Sequence, residues 1–237
     1  MWIKRTEELG ESLHENVNIL YKEGNIYVMD NHLCAAWCWL DSIDTAESYN
    51  FIHIDRHYDL LGFPNTVQTE IIDKNVDLEN LTFDEFRNLK QLGGVGTEWP
   101  MFRWDNYIIN LHLARPGLFS TTYFATQYDG TPKEGFIHRE VEFLELLTEM
   151  DYWIENDSGW IVNLDLDYFF SRVDDELIQI YSDTAIRKVA TVIKKCMPNI
   201  DVLTIALSPE CCGDWRESLR IMEIFSEILE ISFSQEL

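Results

Sequence analysis

Apolar segments of strand length recur along this 237-residue chain, and several run directly into acidic or imidazole side chains. The clearest case is residues 51–54, which are followed at alternate positions by Asp55, His57 and Asp59. Because alternate side chains of an extended chain share one face, we expect these three to leave the strand end in the same direction. Two carboxylates and an imidazole suit a divalent cation of intermediate hardness such as Mn²⁺. Taken alone, the pattern also fits a solvated strand end.

Three other strand-like segments end in side chains of the same kind. Asp165 and Asp167 follow an apolar run and are separated by a single residue, so their carboxylates repel each other unless a cation lies between them. His32 alone would usually be a capping or core residue, and Glu210 alone would be a surface acid. The segments and their polar ends are residues 26–29 with His32, residues 160–164 with Asp165 and Asp167, and residues 202–207 with Ser208-Pro209-Glu210.

Helical patterns lie between these strands and predict the fold class. Alternating strands and helices indicate a compact single domain over residues 1–237, with a three-layer α/β fold around a mostly parallel, doubly wound sheet. The carboxyl ends of parallel strands meet at one edge, where α/β proteins place their sites. The predicted helix at 139–151 has an apolar stripe of Val141, Leu144 and Leu147. Helices are expected at residues 6–23, 33–40, 82–91, 139–151 and 183–197 and after Asp214, with a further strand at 118–125.

Charge and composition narrow the classes of partner. The chain has 18 basic and 42 acidic residues and a formal net charge of −24. This charge repels nucleic acid and anionic membranes and favours a cationic ligand such as a guanidinium or an Arg- or Lys-bearing peptide. The apolar run at residues 33–40 is too short to span a bilayer, and the N-terminus lacks a secretory signal pattern. Five cysteines without framework spacing are typical of the reducing cytoplasm.

Together, the motifs resemble the arginase or ureohydrolase superfamily. That superfamily has a binuclear manganese site built from a His at one strand end, then Asp-x-His-x-Asp, then Asp-x-Asp, then a later Glu. The separations here look like those of arginases: 23 residues from His32 to Asp55, 106 from Asp59 to Asp165, and 43 from Asp167 to Glu210. More narrowly, the chain looks like a compact branch that includes peptide arginases, which convert arginine to ornithine within a peptide. The motifs span residues 30–210.

The resemblance implies a role for each matching residue. Asp59 would take a proton from the attacking water and pass it to the leaving amine, and Glu210 would bind the guanidinium through both carboxylate oxygens. Asp55 and Asp165 would bridge two Mn²⁺ ions. The first ion would be held by His32, Asp55, Asp59 and Asp165, and the second by Asp55, His57, Asp165 and Asp167.

The chain also departs from the arginase pattern. The position near Ile72, where arginases carry a proton-shuttling His, has none, and His112 or His138 are the candidate substitutes. Residues 63–66 lack the usual contacts to the α-carboxylate of free arginine, which favours a peptide substrate. His53 and Asp30 are expected either to orient the metal ligands or to serve only as core residues.

Other functions fit the same motifs. One is hydrolysis of a free guanidine or an acyl-amine, as in agmatinase-like or deacetylase-like relatives of the fold. Another is a non-catalytic, metal-dependent module that binds arginine-rich partners. A binuclear phosphoesterase is disfavoured because the net charge of −24 opposes phosphate substrates. The acidic and aromatic stretch at residues 97–107 fits either a cation–π contact or a packed loop in which Pro100 starts a helix.

Overall fold

Eight strands form the central sheet in a computed structural model that describes residues 1–93, 96–157 and 159–233. The strand order is β1-β2-β3-β12-β9-β4-β7-β8, while β5 pairs with β6 and β10 with β11. The strands are β1 (Trp2–Arg5), β2 (Ile19–Glu23), β3 (Ile26–Met29), β4 (Tyr49–Ile54), β5 (Lys90–Leu92), β6 (Glu98–Pro100), β7 (Phe119–Ala125), β8 (Arg139–Glu140), β9 (Trp160–Asp165), β10 (Phe170–Val173), β11 (Glu176–Gln179) and β12 (Ile200–Ala206).

The sheet is mostly parallel, as predicted. β12 pairs in parallel with β3 and β9, β4 pairs in parallel with β9 and β7, and β7 pairs in parallel with β8. Within the described part of this sheet, the antiparallel pairs are β1–β2 and β2–β3. The four neighbouring strands β3, β12, β9 and β4 therefore end at the same edge.

Helices cover both faces of the sheet and give a three-layer α/β arrangement. On one face, Trp39 of α1 and Tyr107 of α4 share a core with Phe51 of β4. On the other face, α5, α6 and α8 enclose a second core that contains Ile193 and Phe225. None of the described helices is long and apolar enough to cross a bilayer. The helices are α1 (Ala35–Leu40), α2 (Pro64–Val67), α3 (Phe83–Arg87), α4 (Tyr107–Ala114), α5 (Phe143–Glu155), α6 (Asp183–Cys196), α7 (Pro209–Cys212) and α8 (Trp215–Leu229).

The central strands are buried on both faces, which explains their apolar sequences. Every residue of β4 and of β9 is buried. Along β4, Phe51 joins the core on the α1 and α4 side, whereas Ile52 and Ile54 join the core on the α5, α6 and α8 side. This alternation is what a parallel strand between two helical layers requires.

The predicted helix at residues 6–23 is wrong. The segment instead contains an irregular stretch after β1 and then β2, whose Ile19, Leu20 and Tyr21 are all buried. Gly24 has φ +61° and forms the turn between β2 and β3, a conformation that glycine adopts without a steric penalty. Pairing of β2 with β3 buries three successive apolar residues, and tertiary packing of this kind overrides a weak helical stripe.

Two further boundaries differ from the sequence-based expectation. The capping box of Thr82 and Glu85 is present, but α3 ends at Arg87 and Gln91 lies in β5. Pro100 ends β6 instead of starting a helix, and α4 begins only at Tyr107. Residues 94 and 95 of the glycine-rich break lie outside the described residues.

The apolar stripe expected on α5 is wrong at Leu144, whereas Val141 and Leu147 do pack against the core. The helix begins at Phe143, with Glu142 as its N-cap, and its buried residues follow a different helical spacing. Leu144 is 72% exposed, whereas Leu146 is 1% exposed. The buried set is Leu146, Met150, Trp153 and Ile154.

These two leucines provide a matched test of the α5 packing. We expect Leu146→Ala to lower the free energy of unfolding by about 2–5 kcal/mol, because it leaves a cavity in the core. The same substitution at exposed Leu144 should change it by less than about 0.5 kcal/mol. Urea denaturation followed by circular dichroism measures both values. A larger effect at Leu144 than at Leu146 would contradict this assignment of the helix face.

Candidate metal centre and cavity

Residues from distant parts of the chain meet at the shared edge of β3, β12, β9 and β4. His32 follows β3, and its Nδ1 lies 3.4 Å from Asp55 Oδ2, 3.2 Å from Asp59 Oδ2 and 3.4 Å from Asp165 Oδ2. The ligand atoms of His32, Asp55 and Asp59 all lie within 4.8 Å of one another. We call these three residues the first ligand group.

A second ligand group, Asp55, His57 and Asp167, lies beside the first. His57 Nδ1 is 3.1 Å from Asp167 Oδ2 and 3.3 Å from Asp55 Oδ1. Their ligand atoms also lie within 4.8 Å of one another. Asp55 belongs to both groups, with Oδ2 facing His32 and Oδ1 facing His57. A bridging role for Asp165 stays a prediction.

The Asp-x-His-x-Asp residues converge through a turn and not through an extended strand. β4 ends at Ile54, and the carboxylate of Asp55 accepts a hydrogen bond from the backbone N–H of His57 at 2.6 Å. Asp59 then adopts the left-handed region with φ +54°, which short polar residues tolerate better than most. The expected convergence is present, but its expected cause, the alternation of a continuing strand, is wrong.

A local hydrogen bond also sets the spacing of the second acid pair. Asp165 is the last residue of β9, and its Oδ1 accepts a hydrogen bond from the backbone N–H of Asp167 at 2.9 Å. Asp165 thereby caps the short 3₁₀ helix Leu166–Phe169. This turn places the two carboxylates at the edge of the sheet.

Burial makes this concentration of acids energetically costly without a positive partner. Burial, reinforced by neighbouring carboxylates, raises the pKa of Asp55 and of Asp165. Burial raises the pKa of Asp59 to about 8. Burial alone would raise the pKa of Asp167 too, but its close contact with His57 and the charges of His57 and Arg56 outweigh that effect and lower it.

The polar atoms at the site fit a bound cation. Two imidazole nitrogens and four carboxylates form a donor set that suits a metal of intermediate hardness. Buried polar atoms normally have partners, so unpaired ones point to a missing ligand. Among the described residues, the buried atoms without a hydrogen-bond partner include Asp55 Oδ2, which faces His32, and Asp167 Oδ2, which faces His57. The buried His/Asp cluster can therefore hold a metal ion.

A row of buried polar side chains crosses the central strands next to the two ligand groups. His53, Asn163 and Thr204 are neighbours in register on β4, β9 and β12. Trp39 Nε1 donates to Thr204 Oγ1 at 3.1 Å, Thr204 Oγ1 donates to Asn163 Oδ1 at 2.7 Å, and Asn163 Nδ2 lies 2.9 Å from His53 Nδ1. The sequence analysis did not single out Asn163 and Thr204. The one sign of their role in the sequence is that each is a polar residue among apolar strand residues.

This polar row ends on the ligands and orients them. Since His53 Nδ1 accepts from Asn163, its Nε2 carries the ring proton and donates to the backbone oxygen of His57 at 3.1 Å. The same Nε2 lies 3.6 Å from Asp55 Oδ2. Burial lowers the pKa of His53 well below its usual value, so the ring stays neutral. His53 therefore has the orienting role that was one of its two expected alternatives.

Asp30 instead holds the N-terminal segment against the site. Its buried carboxylate accepts hydrogen bonds from the backbone N–H groups of Asn18 and Ile19 and from the Asn18 side chain. Its backbone oxygen accepts from Ser12 Oγ at 2.8 Å. Ser12 N–H in turn donates to Glu210 Oε1 at 2.6 Å. Asp30 thus positions Glu210 through Ser12, without contacting the ligand groups.

A cavity of about 620 Å³ opens above the two ligand groups. Its lining includes seven acidic side chains, and Lys133 is the one Lys or Arg among the described lining residues. Glu210 lies on the wall, with its Oε2 buried and unpaired within the described structure. The volume is typical of a small-ligand site. Its acidic wall favours a cationic ligand.

Neither candidate proton shuttle lies on the cavity wall. His112 packs against Phe119 and Phe136, and burial lowers its pKa. His138 Nδ1 lies 3.0 Å from Thr122 Oγ1. Both expectations are therefore wrong, because these side chains serve packing and hydrogen bonding around β7.

No protein-family model matches the chain, and no curated protein matches it. The relation to arginases therefore stays a prediction from the motifs.

Metal binding should depend on pH in a defined direction. In the metal-free protein the pKa of Asp59 rises from 3.8 to about 8, so folding stability falls as pH rises through this range, while the ionised ligand becomes available. We expect Mn²⁺ to raise the melting temperature more at about pH 8 than at about pH 6. Differential scanning fluorimetry with and without Mn²⁺ measures this. Asp55→Asn, which removes the charge of the shared carboxylate, should show little Mn²⁺-induced shift in melting temperature at either pH. A larger shift of the wild type at about pH 6 than at about pH 8 would refute the assignment.

Proposed function

We propose that this chain hydrolyses the guanidino group of arginine residues in a peptide, giving ornithine and urea. The observation that carries the proposal is a pair of carboxylate–imidazole groups that share the buried Asp55. The other members of both groups line one cavity together with Glu210. The order of the motifs, which resembles arginases, supports the same reaction. The chain would act in the cytoplasm, in the maturation of a ribosomally made peptide.

Two Mn²⁺ ions would be held by the two ligand groups, with Asp165 as a further ligand. Bound divalent cations lower the pKa of water and so supply a nucleophile near neutral pH. His32, Asp55, Asp59 and Asp165 would hold the first ion, and Asp55, His57, Asp165 and Asp167 would hold the second.

Asp59 would move the proton that the reaction requires. Its side chain is 7% exposed, lines the cavity and lies 3.2 Å from His32 Nδ1. Water adds to the guanidinium carbon, and Asp59 accepts a proton from it. The bond from that carbon to the side-chain nitrogen then breaks, and Asp59 returns the proton to the amine of ornithine as urea leaves.

Glu210 would bind and orient the guanidinium. Ser12 N–H fixes Oε1, and Oε2 lacks a partner among the described residues, so the carboxylate is held in place with acceptor capacity unused. A planar guanidinium donates two parallel N–H groups to such a carboxylate. This interaction would hold the reacting carbon in place during attack.

The cavity wall favours arginine within a peptide over the free amino acid. Free arginine carries an α-carboxylate, which would face the lining acids outside the proposed metal ligands, with Lys133 as the only Lys or Arg among the described lining residues. These acids are Asp30, Asp105, Asp129 and Glu210. A peptide-bound arginine lacks that charge. The net charge of −24 also favours the approach of a cationic peptide.

Turnover of an arginine peptide tests the proposed reaction directly. The Mn²⁺-loaded protein should release urea and convert arginine to ornithine, a loss of CH₂N₂ that mass spectrometry detects. The same peptide with lysine in place of arginine should not change, and a chelator should stop the reaction. Absence of turnover across a panel of arginine peptides, with Mn²⁺ shown to be bound, would refute the proposal.

Glu210→Gln separates guanidinium hydrolysis from acyl-amine hydrolysis. The variant keeps an oxygen for the Ser12 N–H bond but loses the charge that binds the guanidinium, so kcat/KM on an arginine peptide should fall on the order of 100-fold. Hydrolysis of an acetyl-lysine peptide would change far less. Glu140→Gln, which alters an acid outside the cavity wall, should stay near wild type. Equal losses in both variants would show that Glu210 has no special role.

A second candidate function is metal-dependent binding of arginine side chains without turnover. It is favoured by the lining of the cavity, where the described residues include no imidazole besides those of His32 and His57. Tight binding of arginine peptides without urea release in the same assay would select this function.

A further inference from the structure

Arg56 places a buried guanidinium beside the second ligand group. It lies between Asp55 and His57 in the motif and is 9% exposed. Its Nη2 and Nε lie 3.0 and 3.2 Å from His57 Nε2, and Nη2 lies 3.9 Å from Asp167 Oδ2. Its Nη1 is buried without a partner among the described residues. An arginine keeps its charge at all relevant pH values, so this positive charge is permanent.

The first ligand group has no such neighbour. Within the described structure, the carboxylates of Asp55 and Asp59 form close contacts with imidazoles and with no Lys or Arg side chain. Repulsion between a divalent cation and a guanidinium a few ångströms away therefore acts mainly on the second group. The two groups differ in charge although they share Asp55.

The contact between Arg56 and His57 conflicts with a metal on the same ring. Arg56 can donate to His57 Nε2 only if that nitrogen carries a lone pair, which places the ring proton on Nδ1, 3.1 Å from Asp167 Oδ2. A cation held with Asp55 and Asp167 needs the lone pair of Nδ1 instead. The proton would then lie on Nε2 and face the N–H groups of Arg56. The observed position of Arg56 and a cation on His57 exclude each other.

Asp129 offers Arg56 another partner. Its Oδ2 lies 3.7 Å from Arg56 Nε and also 3.7 Å from His57 Nε2, and its side chain is 61% exposed on the cavity wall. Backbone hydrogen bonds from Gln127 N–H to Arg56 O and from Tyr58 N–H to Asp129 O, both 3.1 Å, hold the two segments together. A small rotation of the Arg56 side chain would therefore exchange His57 for Asp129.

We propose that Arg56 competes with the second cation, so that the two ligand groups fill in order and with unequal affinity. The first group binds its ion tightly, and the second fills only when Arg56 turns toward Asp129. Repulsion between a divalent ion and this guanidinium weakens the second site on the order of tenfold. This inference rests on the metal centre of the proposed function.

Calorimetric titration of the metal-free protein with Mn²⁺ alone tests the inference. The wild type should bind two ions with dissociation constants that differ on the order of tenfold or more. Arg56→Met removes the charge but keeps much of the apolar stem, so the second constant should approach the first. Arg56→Lys keeps a charge and should retain the weak second site. Arg139→Met removes one positive charge away from the cavity and should leave both constants unchanged.

Asp129→Asn gives an independent measurement at an exposed position if Arg56→Met does not fold. Loss of the alternative partner should weaken the second site more than the first. The inference would be overturned if the wild type bound two ions with equal affinity. It would also be overturned if neither Arg56→Met nor Asp129→Asn changed the dissociation constant of the second ion. Either result would leave the proposed hydrolysis standing. Failure of the wild type and of Arg56→Met to bind any Mn²⁺ would overturn the inference and the proposed metal centre together.

Discussion

Four carboxylates that repel one another are buried at one edge of the parallel sheet, and most features of this site follow from that conflict. Asp55, Asp165 and Asp167 are at most 3% exposed, and the side chain of Asp59 is 7% exposed. Such a group is destabilising unless protons or cations neutralise it. Local hydrogen bonds from the backbone two residues further on fix the carboxylates of Asp55 and Asp165. Asp59 and Asp167 are held by contacts with distant parts of the chain.

The sheet supplies this rigidity through its register. His53, Asn163 and Thr204 are aligned across three strands. They are joined by hydrogen bonds in a buried network that begins at Trp39. Buried networks of this kind are costly when incomplete and specific when complete. This network ends on the backbone oxygen of His57, so the packing of three central strands helps to fix the backbone at His57.

The sequence was most informative where one short-range pattern controls the outcome. Buried strands such as β9 are mainly apolar, and the acids and imidazoles that follow them could be expected to meet because parallel strands share an edge. The N-terminal segment could not be predicted, because pairing with β3 decides its conformation and a weak stripe at Leu9 and Leu13 suggested a helix. Both of these leucines remain exposed.

The details of the site depended on contacts that no local pattern encodes. Asp59 reaches His32 only because its backbone adopts a positive φ, and the strand-based explanation of its position failed for that reason. Glu210 follows Ser208, another residue with positive φ, and is held by Ser12 from the opposite end of the chain. Contacts over such sequence separations appear only once the sheet has formed.

The surroundings of Arg56 show how one residue can link metal loading to the cavity wall. Asp129 belongs to both features, since it lies within reach of Arg56 and also lines the cavity. A cationic substrate near Asp129 would compete with Arg56 for this carboxylate and so favour the position of Arg56 against His57. Substrate and second cation would then act on the same equilibrium in opposite directions, which by linkage makes each weaken the binding of the other.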